Sequence, residues 1–313
     1  MKKIATREAY GNTLAEIGKQ NENIVVLDAD LSKSTKTAVF KGECPERFLN
    51  MGIAEGNMMT VAAGLATCGK IPFASTFAIF AAGRAFEQIR NSIAYPKLNV
   101  KVCATHAGIT VGEDGASHQA IEDISLMRSI PNMVVISPSD AVEASAAVKA
   151  VAEYNGPCYV RLGRLAVNVI NDNEEYKFEI GKAVQLREGN EVAIIATGMM
   201  VDAALEAYNT LAEEGIKARV INIHTIKPID EEAIAAAARD CGVIVTAEEH
   251  SVIGGLGSAV AEVVTSTYPV PVLKVGVKDT FGESGSPAEL LVKYGLTADE
   301  IVKAVKKGIE LKK

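Results

Sequence analysis

Val100-Lys101-Val102-Cys103-Ala104 runs directly into Thr105-His106-Ala107-Gly108-Ile109-Thr110-Val111-Gly112-Glu113-Asp114-Gly115-Ala116-Ser117-His118-Gln119. The first run reads as a buried strand, and the glycine-rich polar stretch after it, which carries no apolar period, reads as a long loop. In an open parallel sheet, the loop that leaves a strand's carboxyl end is where ligands bind. Two of the chain's four histidines lie in this loop, on either side of Asp114. A lone histidine is more often structural, but two beside an aspartate in a glycine-rich loop point to chemistry.

The same alternation extends outward. Ile24-Val25-Val26-Leu27, Met133-Val134-Val135-Ile136 and Cys158-Tyr159-Val160 read as strands, separated by alanine-rich helical stretches near 55–67, 77–94 and 141–153. The pattern predicts an α/β fold with a parallel sheet covered by helices. Polarity rises between Asn168 and Lys182, where Asn171-Asp172-Asn173-Glu174-Glu175 reads as linker. The expected division is a first domain of residues 1–170, a linker of 171–184 and a smaller α/β domain of 185–313, with strands near 192–195, 218–221, 243–245 and 272–275 and a helix near 202–214. At 313 residues, 48% of them hydrophobic, the chain is long enough for two cores.

Composition removes several functions. A net charge of -7 argues against nucleic-acid or membrane-surface binding, which call for a basic face. The five cysteines are scattered and form no C-x-x-C pair, so neither a disulfide framework nor a zinc site is signalled. The N-terminus becomes charged again at Arg7-Glu8 before an apolar core can develop, and the apolar runs are too short to span a bilayer. A cytoplasmic protein acting on small metabolites is expected.

Taken in order, Asp28-Ala29-Asp30-Leu31-Ser32, Asn50-Met51-Gly52-Ile53-Ala54-Glu55-Gly56-Asn57, Ser75-Thr76-Phe77-Ala78-Ile79-Phe80, the 105–119 loop, Ser137-Pro138-Ser139-Asp140 and Arg161-Leu162-Gly163-Arg164 resemble the pyrimidine-binding domain of transketolases. Thr197-Gly198 and Phe281-Gly282-Glu283-Ser284-Gly285 extend the resemblance into the second half, so it covers essentially the whole chain. The resemblance implies a thiamine-diphosphate enzyme of the pentose phosphate pathway that transfers a two-carbon ketol unit between sugar phosphates. Such enzymes hold the diphosphate and its Mg2+ or Ca2+ with a Gly-Asp-Gly motif followed by an asparagine. No Gly-Asp-Gly occurs here; residues 112–115 read Gly-Glu-Asp-Gly and belong to the histidine loop. The diphosphate and metal are therefore expected on a separate N-terminal transketolase subunit, with this chain self-associating as a homodimer in a two-plus-two assembly.

The resemblance also assigns roles. On its residues alone Glu55 is a favourable charge in a first helical turn; by resemblance it is the glutamate that hydrogen-bonds a pyrimidine ring nitrogen, a task suited to a carboxyl group kept from water. Phe77 and Phe80, expected on one helical face, would pack around the aminopyrimidine, with Gly83 standing where many transketolases carry a third aromatic. Asp30 and Leu31 would approach the cofactor. Arg7 and Arg164 read alone as a surface charge and a salt-bridge partner; by resemblance they grip a sugar phosphate together with Ser34 and His106. Asp114 would bind the hydroxyl beside the substrate carbonyl. His118, with His106 grouped beside it as catalytic, would move protons.

The alternatives are a half of a 1-deoxyxylulose-5-phosphate synthase-like enzyme, which shares the scaffold and a related loop, and a non-catalytic transketolase-like binding subunit. The β subunits of 2-oxoacid dehydrogenases share the glutamate but match the two-histidine loop less well. Glu248-Glu249-His250-Ser251-Val252-Ile253-Gly254-Gly255-Leu256-Gly257-Ser258 carries no complete dinucleotide fingerprint and reads as a helix packed tightly on a strand. His224 reads as structural.

Overall fold

The β-branched runs pair side by side as the α/β pattern requires. A computed structural model describes residues 2–171 and 176–312. The first sheet has seven strands in the spatial order Thr225–Lys227, Val134–Ile136, Cys158–Arg161, Lys101–Thr105, Ile71–Phe77, Ile24–Asp28 and Phe48–Asn50. All neighbours pair in parallel except Thr225–Lys227, which joins antiparallel to Val134–Ile136 from the second half of the sequence. The second sheet has five strands, in the order Val272–Val277, Ile244–Ser251, Val192–Ala196, Ala218–Asn222 and Val184–Arg187, the last antiparallel. The inner strands Ile24–Asp28, Lys101–Thr105 and Val192–Ala196 are buried along their full length, which is why they read as continuous runs and do not alternate.

A small antiparallel ribbon, Lys3–Ala5 against Ala166–Asn168, brings the chain start next to the segment that follows Arg161. The helix Thr6–Gln20 begins there, and Thr6 Oγ1 accepts a hydrogen bond from the Gly163 amide at 2.8 Å. Arg7 is thereby delivered beside Arg164, although the two are far apart in sequence.

One element departs from expectation. The helix expected from Phe77 does not begin there, because Phe77 still pairs with Thr105 as the last residue of its strand. Beyond it the chain winds as π-helix over Phe80–Arg84, a short α turn over Phe86–Gln88, and π-helix again over Ile89–Ala94. Phe77 and Phe80 therefore do not share a helical face. Of the polar run read as linker, Asp172–Glu175 lie outside the described residues. Among the described residues no helix is long and apolar enough to cross a membrane.

Candidate active site

The carboxyl ends of the first sheet's parallel strands gather at one edge, and nearly every candidate residue follows one of them. Asp30, Leu31 and Ser34 follow Asp28; Glu55 follows Asn50; Phe80 follows Phe77; His106 to His118 follow Thr105; Arg164 follows Arg161. Arg7 arrives from the ribbon.

The side chains form a continuous run of contacts. Glu55 opens the helix Glu55–Thr67 with its side chain 5% exposed, and its Oε1 accepts from Arg84 Nη1 at 3.2 Å. The Arg84 guanidinium lies 4.1 Å from the Phe80 ring centroid. Phe80 stacks with Phe77 at 5.8 Å and meets the edge of His118 at 5.3 Å. Phe77 stacks on His106 at 3.8 Å, and His106 Nε2 lies 3.3 Å from Arg7 Nη1. Arg7 meets Ser34 through its carbonyl, at 2.7 Å, and not through the hydroxyl. Arg164 donates to the Val111 carbonyl and, at 2.9 Å, to Glu113 Oε2, which fixes it to the histidine loop. Asp114 is exposed at the end of the 3₁₀ turn Ile109–Asp114 and joins the group only through that loop.

Two of these positions have left-handed backbone, Asp30 at φ 63° and His106 at φ 57°, a geometry uncommon for residues with side chains and concentrated at functional sites. Asp30 accepts from Asn50 Nδ2 at 2.8 Å. The loop that carries Asp30 and Leu31 is braced by buried Asp28, whose carboxylate accepts from the Leu31 amide and the Thr35 and Thr37 hydroxyls at 2.6, 2.6 and 2.9 Å. Burial pushes the Asp28 carboxyl above its ordinary range against those bonds.

The tautomer of His106 follows from its partners. A guanidinium only donates, so Nε2 facing Arg7 is the acceptor, and the proton sits on Nδ1, 2.9 Å from Thr105 Oγ1. Burial, then the charges of Arg7, Arg164 and His118, lower its pKa to about 3. His106 is expected to remain a neutral imidazole in a nitrogen-resolved NMR titration over about pH 5 to 8, whereas an unperturbed histidine changes charge there. The folded pKa lies below the unfolded one, so the stability this group contributes is complete above the unfolded value near 6.5 and is lost as pH falls toward about 3.

Residues 2–169 match the family model of the transketolase pyrimidine-binding domain, and residues 181–301 match that of the transketolase C-terminal domain. The chain belongs to the transketolase family. A putative transketolase C-terminal section from Methanocaldococcus jannaschii is 56% identical to it, over 96% of this chain and 94% of that protein. A 6-deoxy-6-sulfo-D-fructose transketolase subunit from a Clostridium species is 47% identical, over 98% of this chain and 95% of that protein. A solved structure described as a split-gene transketolase, an inactive beta4 tetramer, has a TM-score of 0.93 at 61% identity and covers 99% of this chain and 100% of that one. The chain thus corresponds to a transketolase C-terminal section, in a family of transferases.

Sequence patterns missed Arg84, which joins Glu55 to Phe80. Its signal was a cation four residues beyond Phe80, but the bond from the Ala85 amide to the Phe80 carbonyl, one residue longer than in an α-helix, sets where it points. Gly83 beside it is exposed, and an added Cβ would meet only Ile79 Cδ1, at 3.9 Å. The glycine-rich turn of the second half has an occupant of its own. Buried Glu248 accepts from the Leu256 and Gly257 amides at 2.6 and 2.8 Å, so a carboxylate fills the helix N-terminus where a phosphate would otherwise sit. Burial raises Glu248 to about 7 despite those bonds. His224 is buried and stacked on Phe178 at 4.2 Å, away from the run. Among the described residues no group of three or more His, Cys, Asp or Glu side chains is placed to hold a metal ion.

Proposed function

We propose that this chain is the catalytic C-terminal subunit of a split transketolase. Joined to an N-terminal subunit that carries Gly-Asp-Gly, it moves a two-carbon ketol unit between sugar phosphates, a cytoplasmic reaction of the pentose phosphate pathway. The observation that carries this is the run of contacts from Glu55 through Phe80 and Phe77 to His106 and Arg7, which sets an acid, a pair of aromatic faces and a fixed cation along one sheet edge.

Thiamine diphosphate, when bound, supplies the electron sink. The residues present fit its aminopyrimidine: Phe77 and Phe80 are stacked within 14° of parallel, and buried Glu55 lies across Arg84 from them. Glu55 hydrogen-bonds a ring nitrogen, Phe77 and Phe80 fix the ring plane, and Asp30 and Leu31 close one side. Arg7 and Arg164 receive the phosphate end of the sugar, and the Ser34 carbonyl and the Nε2 acceptor of neutral His106 orient Arg7. Asp114 accepts a substrate hydroxyl, and His118 moves a proton at the reacting carbonyl. The diphosphate and its Mg2+ or Ca2+ belong to the partner. The proposed units are residues 1–170 and 185–313, joined by 171–184.

A relative described as an inactive beta4 tetramer supports self-association of such chains and their inertness alone; a two-plus-two assembly follows if paired chains each take one partner. The test mixes the full chain with a Gly-Asp-Gly subunit, thiamine diphosphate and magnesium, and follows transfer from xylulose 5-phosphate to ribose 5-phosphate. Activity in the mixture and in neither chain alone is expected; its absence from a verified complex would overturn the substrate assignment. Turnover of pyruvate with glyceraldehyde 3-phosphate would transfer the chain to the synthase class. The sulfosugar relative makes a sulfonated ketose the next donor to try. Arg164→Ala should remove charge-assisted bonds of about 1.5–3 kcal/mol each, raising the sugar-phosphate KM on the order of 10–100-fold with kcat less affected.

A further inference from the structure

We infer that Glu249, from an inner strand of the second sheet, positions the histidine loop, so that the second half of the chain sets the geometry of a site built on the first. The importance of that loop rests on the transketolase function proposed above; the contacts that hold it do not. Glu249 is buried at the end of a strand running over Ile244–Ser251. Its Oε1 accepts from the amide of Thr110, a residue itself buried in the loop, at 2.7 Å. The loop can lie this close only because residue 108 is glycine: at φ 83° a side chain is strained, and a Cβ would stand 2.3 Å from the Glu249 carboxyl carbon.

The buttress is itself held in place. The Glu249 carbonyl accepts from Arg161 Nη2 at 2.9 Å, and Arg161 Nε is fixed on Asp123 at 2.8 Å. At the other end of the loop, Gln119 Nε2 donates to the Ile109 and Gly112 carbonyls and reaches Glu283 O at 2.9 Å. The loop is therefore tied to the second half at two places, Thr110 and Gln119, with His106 just before the first tie and His118 between the two. If the Thr110 tie fails, a buried amide loses its partner and the loop is released toward other conformations. A shift of about 1 Å in such a loop is enough to cost on the order of 100-fold in rate.

Hydrogen exchange on the full chain alone tests this without the partner subunit. Glu249→Asp, one carbon too short to reach Thr110, and Glu249→Ala should each speed exchange of the 107–119 amides about ten-fold or more with the rest of the chain unchanged. Glu249→Gln, whose amide oxygen still accepts, should restore protection. In the reconstituted enzyme the Asp variant should lose kcat/KM while thiamine diphosphate affinity, read by tryptophan-independent calorimetry, is unchanged. Unaltered loop exchange, acceleration spread over the whole chain, or a Gln variant no better than Ala would overturn the proposal. Because exchange needs no turnover, failure of the transketolase assignment and failure of the buttress give different results.

Discussion

Glu55→Ala is expected to lower two-carbon transfer by the reconstituted enzyme about 10²–10⁴-fold, the range for removing a positioned proton-transfer group. The chain's stability should change little. The carboxylate is buried, but its one side-chain partner, Arg84, is 55% exposed and can turn to water when the pair is broken. A pair so placed contributes about 0–1 kcal/mol, and a first-turn acid adds about 0.3–1 kcal/mol through the helix dipole. The two roles open to Glu55 therefore predict opposite profiles. If it only starts the helix Glu55–Thr67, activity should follow the small loss of stability; if it protonates a ring nitrogen, activity collapses while the denaturation midpoint hardly moves. Glu55→Gln, which keeps shape and hydrogen bonding but cannot exchange a proton, should resemble the Ala variant. Activity within a few-fold of wild type in a verified complex would remove Glu55 from the chemistry.

Much of the site was legible because its parts are local. A strand buried on both faces is written mainly in apolar residues, and the loop that leaves this one is polar and rich in glycine, so the apolar centre of Lys101–Thr105 and the stretch through Gln119 announce themselves. Family resemblance then attached roles to residues that spacing alone left bland, such as Arg7. What stayed hidden is non-local or a matter of winding. The edge strand Thr225–Lys227 is too short to show which sheet it joins, and it joins the first. The Glu249 carboxylate and the Thr110 amide are 139 positions apart, and no periodicity connects them. Phe77 could end a strand or open a helix, since aromatics suit both, and only its pairing with Thr105 decides. The glycine turn at 254–257 reads correctly as a helix packed tightly on a strand, but no pattern shows that the Glu248 side chain turns back to accept from its amides.

Arg161→Met should be the most destabilising exchange near the site, by about 3–5 kcal/mol, because it leaves an unpaired charge in the interior. Arg161 and Asp123 have side chains 6% and 0% exposed and meet at 2.8 Å. Without the guanidinium, Asp123 keeps only the Tyr159 hydroxyl at 2.8 Å, and its Oδ1 already lacks a partner. Replacing both charges, as Arg161→Met with Asp123→Leu, removes the stranded carboxylate and should recover part of the loss, since apolar pairs can equal buried ion pairs; the buried Tyr159 hydroxyl, left without its acceptor, holds back about 1–3 kcal/mol. Urea denaturation of the two single variants and the double one measures this as strong non-additivity. Activity should not follow stability back. Arg161 also donates to the Ala120 and Glu249 carbonyls, at 3.3 and 2.9 Å, and methionine offers neither bond. The double variant is thus expected to be stable yet slow, with the histidine loop loosened. Full recovery of both properties would mean that the buried pair serves stability alone and that the loop holds its shape without it.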